Sequence, residues 1–118
     1  MAETAITNEQ ISIFETDGVV CLRGIIERDW LKRLWQAAEE AMEIPPMDPS
    51  MPYFRRIRLW QAVPEFSAFC RKSVLPKVAA QLLKTSKVNF LYDQLFVKEP
   101  HMVDRSPWHN DQPYWPVR

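Results

Sequence analysis

Four prolines within one short stretch, Pro45, Pro46, Pro49 and Pro52, constrain this chain more than any other feature. Each ring locks φ near about −65° and removes a backbone donor, so neither a helix nor a paired strand can run through residues 45–52. Regular structure is pushed to either side of a stiff connector, which would serve as a rigid spacer in a binding module or as part of a lid over a pocket in an enzyme.

Upstream of that connector the pattern is mainly helical. Thr7-Asn8-Glu9-Gln10 offers an N-cap with its partner glutamine three residues on, Ile11 and Phe14 give a short apolar stripe, and Gly18 predicts the helix end. Val19, Val20, Cys21 and Leu22 form an apolar, partly β-branched run closed by Gly24, which predicts a buried strand. From about Glu27 the apolar residues Leu31, Leu34, Trp35, Ala38, Ala41 and Met42 recur at helical spacing, and Glu27 and Asp29 lie where the helix dipole favours negative charge. This is the longest predicted helix, with Trp30 and Trp35 expected in the core.

Downstream, Pro64 can start a helix through Phe66, Phe69 and Cys70, and Leu75 to Leu83 predicts another. From Lys87 to Lys98 the period changes to two. Phe90, Tyr92, Gln94, Phe96 and Lys98 then share one face of a predicted strand and Leu91, Asp93, Leu95 and Val97 the other. No internal repeat or low-complexity tract interrupts the chain, which reads as one domain without a linker.

Composition excludes several classes of function. At 118 residues, 47% hydrophobic and 25% charged, the chain has the balance of a globular domain and not of a disordered tail. Fifteen basic residues against fifteen acidic ones give no electrostatic case for nucleic acid or an anionic membrane, and the basic run Arg55-Arg56-Ile57-Arg58 is short. Cys21 and Cys70 lack metal-ligand spacing and read as buried thiols in a reducing compartment. The start carries Glu3, Glu9, Glu15 and Asp17 before the first basic residue, unlike a secretory or transit peptide, and no apolar run approaches the roughly 20 residues of a membrane span. A cytoplasmic protein is expected.

The chemistry concentrates in Pro107-Trp108-His109-Asn110-Asp111-Gln112-Pro113-Tyr114-Trp115-Pro116. On a strand, His109 and Asp111 would project from one face while Asn110 points away, so an imidazole and a carboxylate could reach one metal. With a second histidine they would make the 2-His-1-carboxylate facial triad of non-haem iron. Taken alone, the same two residues equally describe a surface histidine beside a solvated aspartate. His101, the only other histidine, lies in a short loop with Pro100 and Met102 and reads as a loop residue.

Residues 90–100, Phe-Leu-Tyr-Asp-Gln-Leu-Phe-Val-Lys-Glu-Pro, followed by the 106–116 segment, resemble the phytanoyl-CoA dioxygenase family. Phe14, Asp17-Gly18-Val19-Val20 and the Gly24 turn before a long helix are similar to that family as well. The resemblance implies an α+β fold, with N-terminal helices leading into the first strands of a double-stranded β-helix of jelly-roll, cupin-like type. It implies a non-haem Fe(II)- and 2-oxoglutarate-dependent dioxygenase. Such an enzyme uses O2 to hydroxylate a small organic substrate while 2-oxoglutarate is decarboxylated to succinate.

Carried over residue by residue, the resemblance makes His109 and Asp111 the iron ligands and Gln94 a 2-oxoglutarate contact, with Arg56 similar to a basic residue near the co-substrate carboxylate. Gln94 could instead be an amide satisfied by a neighbouring strand or water, and Arg56 a solvated charge. Trp108, Tyr114 and Trp115 would line a substrate pocket that excludes water, or pack as ordinary core. The family's distal histidine and the arginine that anchors 2-oxoglutarate have no counterpart in residues 1–118. The chain is therefore expected to be the N-terminal portion of one such domain, truncated before its core is complete, with an exposed strand edge at Tyr114 and no activity by itself. A non-catalytic binding module of the same fold, or a zinc-type hydrolase, are the rival readings; zinc prefers more nitrogen or sulfur ligands than this chain clusters.

Overall fold

The first helix, α1 (Asn8–Asp17), is set by its ends. The Thr7 hydroxyl accepts from the Gln10 amide at 3.2 Å and Gln10 Oε1 accepts from the Thr7 amide at 2.9 Å, the reciprocal capping box that the sequence predicts. Gly18 closes the helix in the left-handed region at φ 72°, where a side chain would be strained, and its amide donates to Phe14 O. A computed structural model describes residues 5–45, 49–50, 54–102 and 105–115. Most of the proline connector, at 46–48 and 51–52, lies outside the described residues, so neither the spacer nor the lid reading meets the structure there.

The predicted strand at 19–22 does not form. A strand needs a ladder partner for its amides, and the ladder among the described residues joins 54–57 to 94–97. Residues 19–22 run as irregular chain to the Gly24 turn, with Val19 at 68% exposure and Cys21 exposed rather than buried. Helix α2 (Arg28–Glu43) follows. Trp30 meets Phe69 edge-on at 5.5 Å, the Arg33 guanidinium lies 4.3 Å from the Trp30 ring centre, and Arg33 pairs with Glu65 at 2.6 Å. These contacts fix which side of α2 faces inward, with Ala37 and Ala41 buried on it.

Trp35 is not in the core. It lies about two-fifths of a turn round the helix from that inner stripe, stands 70% exposed, and gives its indole N–H to Glu39 Oε1 at 2.8 Å. Leu31 and Met42 share its exposed side.

Strand β1 (Phe54–Ile57) leads into three short helices, α3 (Leu59–Ala62), α4 (Pro64–Lys72) and α5 (Leu75–Leu82). Pro64 and Pro76 stand in the first turns of the latter two, where an amide has no intrahelical partner to lose. Leu59, 1% exposed, is the largest fully buried side chain among the described residues. Helix α5 returns to α1 through Gln81 Oε1, which accepts from the Ala5 amide at 3.1 Å, and through the Lys84–Glu15 ion pair. Cys70, in α4, is half-buried with its thiol pKa raised, chiefly by burial, and both cysteines are free.

Strand β2 (Gln94–Val97) pairs antiparallel with β1, Phe54 opposite Val97 and Ile57 opposite Gln94. The strand predicted over 87–98 is thus confined to four residues. Its partner sets the limit: Arg58 turns left-handed at φ 57° and α3 begins, so residues 87–93 have no strand beside them. The architecture is α+β, helices with a two-stranded ribbon, and no double-stranded β-helix forms among the described residues. The radius of gyration, 16.3 Å, exceeds the roughly 13.5 Å of a closed domain of this length, in keeping with the exposed apolar side chains on α2. No described helix is long and apolar enough to cross a membrane.

Leu59→Ala should destabilise the chain by about 2–5 kcal/mol through lost burial and the cavity left behind. A urea midpoint shifted by less than the equivalent of about 1 kcal/mol would show that Leu59 does not carry the core.

Candidate functional site

The site is built outward from Asp93. Its carboxylate accepts from the Trp60 amide at 2.9 Å, while its own carbonyl accepts from the Arg58 amide at 3.1 Å, so the residue before β2 is pinned to the start of α3. Tyr92 and Gln94 flank this joint. The Tyr92 hydroxyl donates to Gln94 Oε1, and the Tyr92 ring packs against Trp115 at 4.6 Å. Trp115 in turn meets Tyr114 edge-on at 5.0 Å.

Residues 105–110 have no regular secondary structure, and the Tyr114 and Trp115 amides donate to Asp111 O at 2.9 and 3.3 Å, closing a turn over 111–115. The His-x-Asp pair is therefore not on a strand, and Tyr114 is not a strand edge. The turn begins where the Asn110 side chain accepts the Gln112 amide at 2.9 Å, an Asx-type bond that competes with extended backbone. The two side chains nevertheless converge, with His109 Nε2 3.2 Å from Asp111 Oδ1.

The other imidazole nitrogen, Nδ1, lies 2.8 Å from the Pro107 carbonyl. A carbonyl can only accept, so Nδ1 carries its hydrogen; Nε2 then faces Asp111, donating to it when protonated and open to a metal when not. At 3.2 Å, Nε2 and Oδ1 stand at the distance of an imidazolium–carboxylate ion pair and also of two ligands sharing one metal. Adjacent ligands about 2.1 Å from a divalent ion are roughly 3.0 Å apart in octahedral and 3.4 Å in tetrahedral geometry, so the pair fits two positions of either. Among the described residues no group of three His, Cys, Asp or Glu side chains could hold a metal. His101, in a left-handed turn conformation at φ 72°, does not join the pair.

The remaining predicted site residues divide. Directly opposed residues of an antiparallel ribbon share a face, which puts Gln94, Ile57, Phe96 and Arg55 together and leaves Arg56 opposite Leu95 on the other face. Gln94 and Arg56 thus do not converge. Arg56 donates to Pro45 O at 2.6 Å. Arg55 is the residue that sequence reasoning passed over: it shares the face of Gln94 and acts electrostatically on Tyr92. A four-residue strand in a basic run carries too little periodicity to reveal it. Trp108 is fully exposed, Tyr114 is exposed and Trp115 half-buried, and the His109 and Asp111 side chains stand 63% and 75% open.

A helical layer and a short antiparallel ribbon thus carry a turn that joins an imidazole to a carboxylate. The family model for phytanoyl-CoA dioxygenase matches residues 14–118, and the chain belongs to that family. Comparison with curated proteins and with solved structures gave no match. Membership implies a cupin-like fold, a small-molecule substrate and oxygenase chemistry of the Fe(II)- and 2-oxoglutarate-dependent type.

Asp93 also makes a pH test of the joint. Burial raises its carboxyl above the ordinary 3.8, only partly offset by hydrogen bonds from the Trp60, Asp93 and Leu59 amides. The folded chain then holds this proton more tightly than the unfolded one, so Asp93's contribution to stability falls as pH rises from the unfolded value through the raised native value. In urea titrations from about pH 3 to about pH 7, wild type should lose stability relative to Asp93→Asn with rising pH. A relative gain would contradict the buried joint.

Proposed function

We propose that this chain carries the first half of the active site of a cytoplasmic Fe(II)- and 2-oxoglutarate-dependent dioxygenase, with His109 and Asp111 as two of its three protein ligands. The observation that carries the reading is the 3.2 Å approach of Nε2 to Oδ1, with Nδ1 held by a backbone carbonyl. When bound, ferrous iron would supply the oxidising chemistry by which O2 is divided between succinate and a hydroxylated substrate. The protein's own groups orient and bind. Gln94 is proposed to contact 2-oxoglutarate, and of the two strand arginines Arg55 is the one on its face. Trp108, Tyr114 and Trp115 would contact an apolar part of the substrate and exclude water.

A facial triad needs a second imidazole. In this proposal it comes from a residue outside the 118, together with a cationic anchor for the second carboxylate of 2-oxoglutarate. The ribbon and helices would then be the N-terminal portion of a single β-helix domain. One observation favours a second reading, a non-catalytic binding module of the same fold: no third ligand stands beside the pair among the described residues.

Anaerobic titration of the complete protein with Fe(II) and 2-oxoglutarate separates the two readings, because the oxygenase should develop a metal-to-co-substrate charge-transfer band and the binding module should not. His109→Ala and Asp111→Ala should each abolish succinate formation, and retained turnover in either would remove the metal assignment. The 118-residue chain given iron and 2-oxoglutarate is expected to form no succinate; turnover by it would place the whole triad within these residues.

A further inference from the structure

Gln94 is a polar side chain on the ribbon face that also carries Ile57, Phe96 and Arg55. An amide has two chemically opposite ends, and which end faces a ligand decides whether it recognises an acceptor or a donor. Here one end is already engaged, because the Tyr92 hydroxyl donates to Gln94 Oε1. Tyr92 is held in turn by the Trp115 ring at 4.6 Å and, through the backbone, by the neighbouring Asp93 joint.

We propose that Tyr92 is a positioning residue that sets the polarity of Gln94: with Oε1 occupied, Gln94 presents its Nε2 hydrogens and becomes a donor suited to a ligand carboxylate. The role rests on the oxygenase reading, in which that ligand is 2-oxoglutarate. Tyr92 can hold this role across neutral pH, since its phenol is shifted up from 10.0, mainly by burial and further by Tyr114, Asp93 and Asp111 against the lowering effect of Arg55. The hydroxyl therefore remains a donor. The same ring meets Trp115, the last described residue of the turn that Asp111 opens, so one side chain links the proposed co-substrate donor to the proposed metal ligands.

The test uses the complete protein loaded with Co(II), and measures 2-oxoglutarate binding by calorimetry and Co(II) affinity by optical titration. Tyr92→Phe keeps the ring against Trp115 and removes only the hydroxyl. It should weaken 2-oxoglutarate binding roughly three- to tenfold, the effect of one hydrogen bond, and leave Co(II) affinity unchanged. In a Gln94→Leu background the same substitution should have no further effect, because the amide it orients is gone.

An equal loss in both backgrounds, or none in wild type, would overturn the positioning role and reduce Tyr92 to packing. If the unsubstituted protein binds no 2-oxoglutarate at all, the oxygenase reading fails and takes this role with it. Binding that is indifferent to Tyr92→Phe removes the Tyr92 role alone.

Discussion

The structure depends on the joint between Asp93 and the start of α3. Arg58 leaves β1 in a left-handed conformation, and two backbone amides exposed by that turn, Arg58 and Trp60, are both taken up by Asp93. A strand end and a helix start each leave polar groups unpaired, and one residue satisfies both. The carboxylate is only partly compensated: Oδ1 is buried without a partner, and burial raises the group's pKa. The carboxylate therefore carries an electrostatic penalty at neutral pH. In return it fixes β2 in register with β1, and with β2 the positions of Tyr92 and Gln94.

What was legible in the sequence follows from range. The α1 capping box, the proline-started helices and the long amphipathic α2 are encoded within a few residues of themselves, and all form where the pattern puts them. Strands are not local objects. Val19 to Leu22 has strand composition but no ladder partner, and Lys87 to Asp93 has the alternation but faces a chain that has already turned into α3. In the other direction, Phe54 to Ile57 pairs fully although three of its residues read only as part of the basic run Arg55-Arg56-Ile57-Arg58.

The site divides in the same way. The His-x-Asp pair is visible because its two residues are neighbours in the chain, yet their convergence comes from an Asx-type bond and a turn, not from the pleat. Arg56 and Gln94 are far apart in sequence, and their relation depends on ribbon register, which no single segment encodes. A shift of one position exchanges the two faces. That is why Arg55, not Arg56, stands on the side of Gln94 and near Tyr92.

The His109–Asp111 pair is thus preorganised by short-range bonds while its surroundings are not. Pro107 O, the Asn110 side chain and Asp111 O hold the geometry within a few residues, so the pair needs no complete sheet to bring its nitrogen and oxygen together. Exposure of 63% and 75% leaves both side chains in water, where a carboxylate and an imidazole would bind a divalent ion against strong competition from solvent. Tight coordination and controlled oxidation call for a third ligand and for enclosure by apolar walls. Trp108 and Tyr114 stand exposed in the same segment, with Trp115 anchored on Tyr92. The local turn accounts for where a metal would sit; the strength of its binding, and the substrate it meets, would be set by whatever covers those rings.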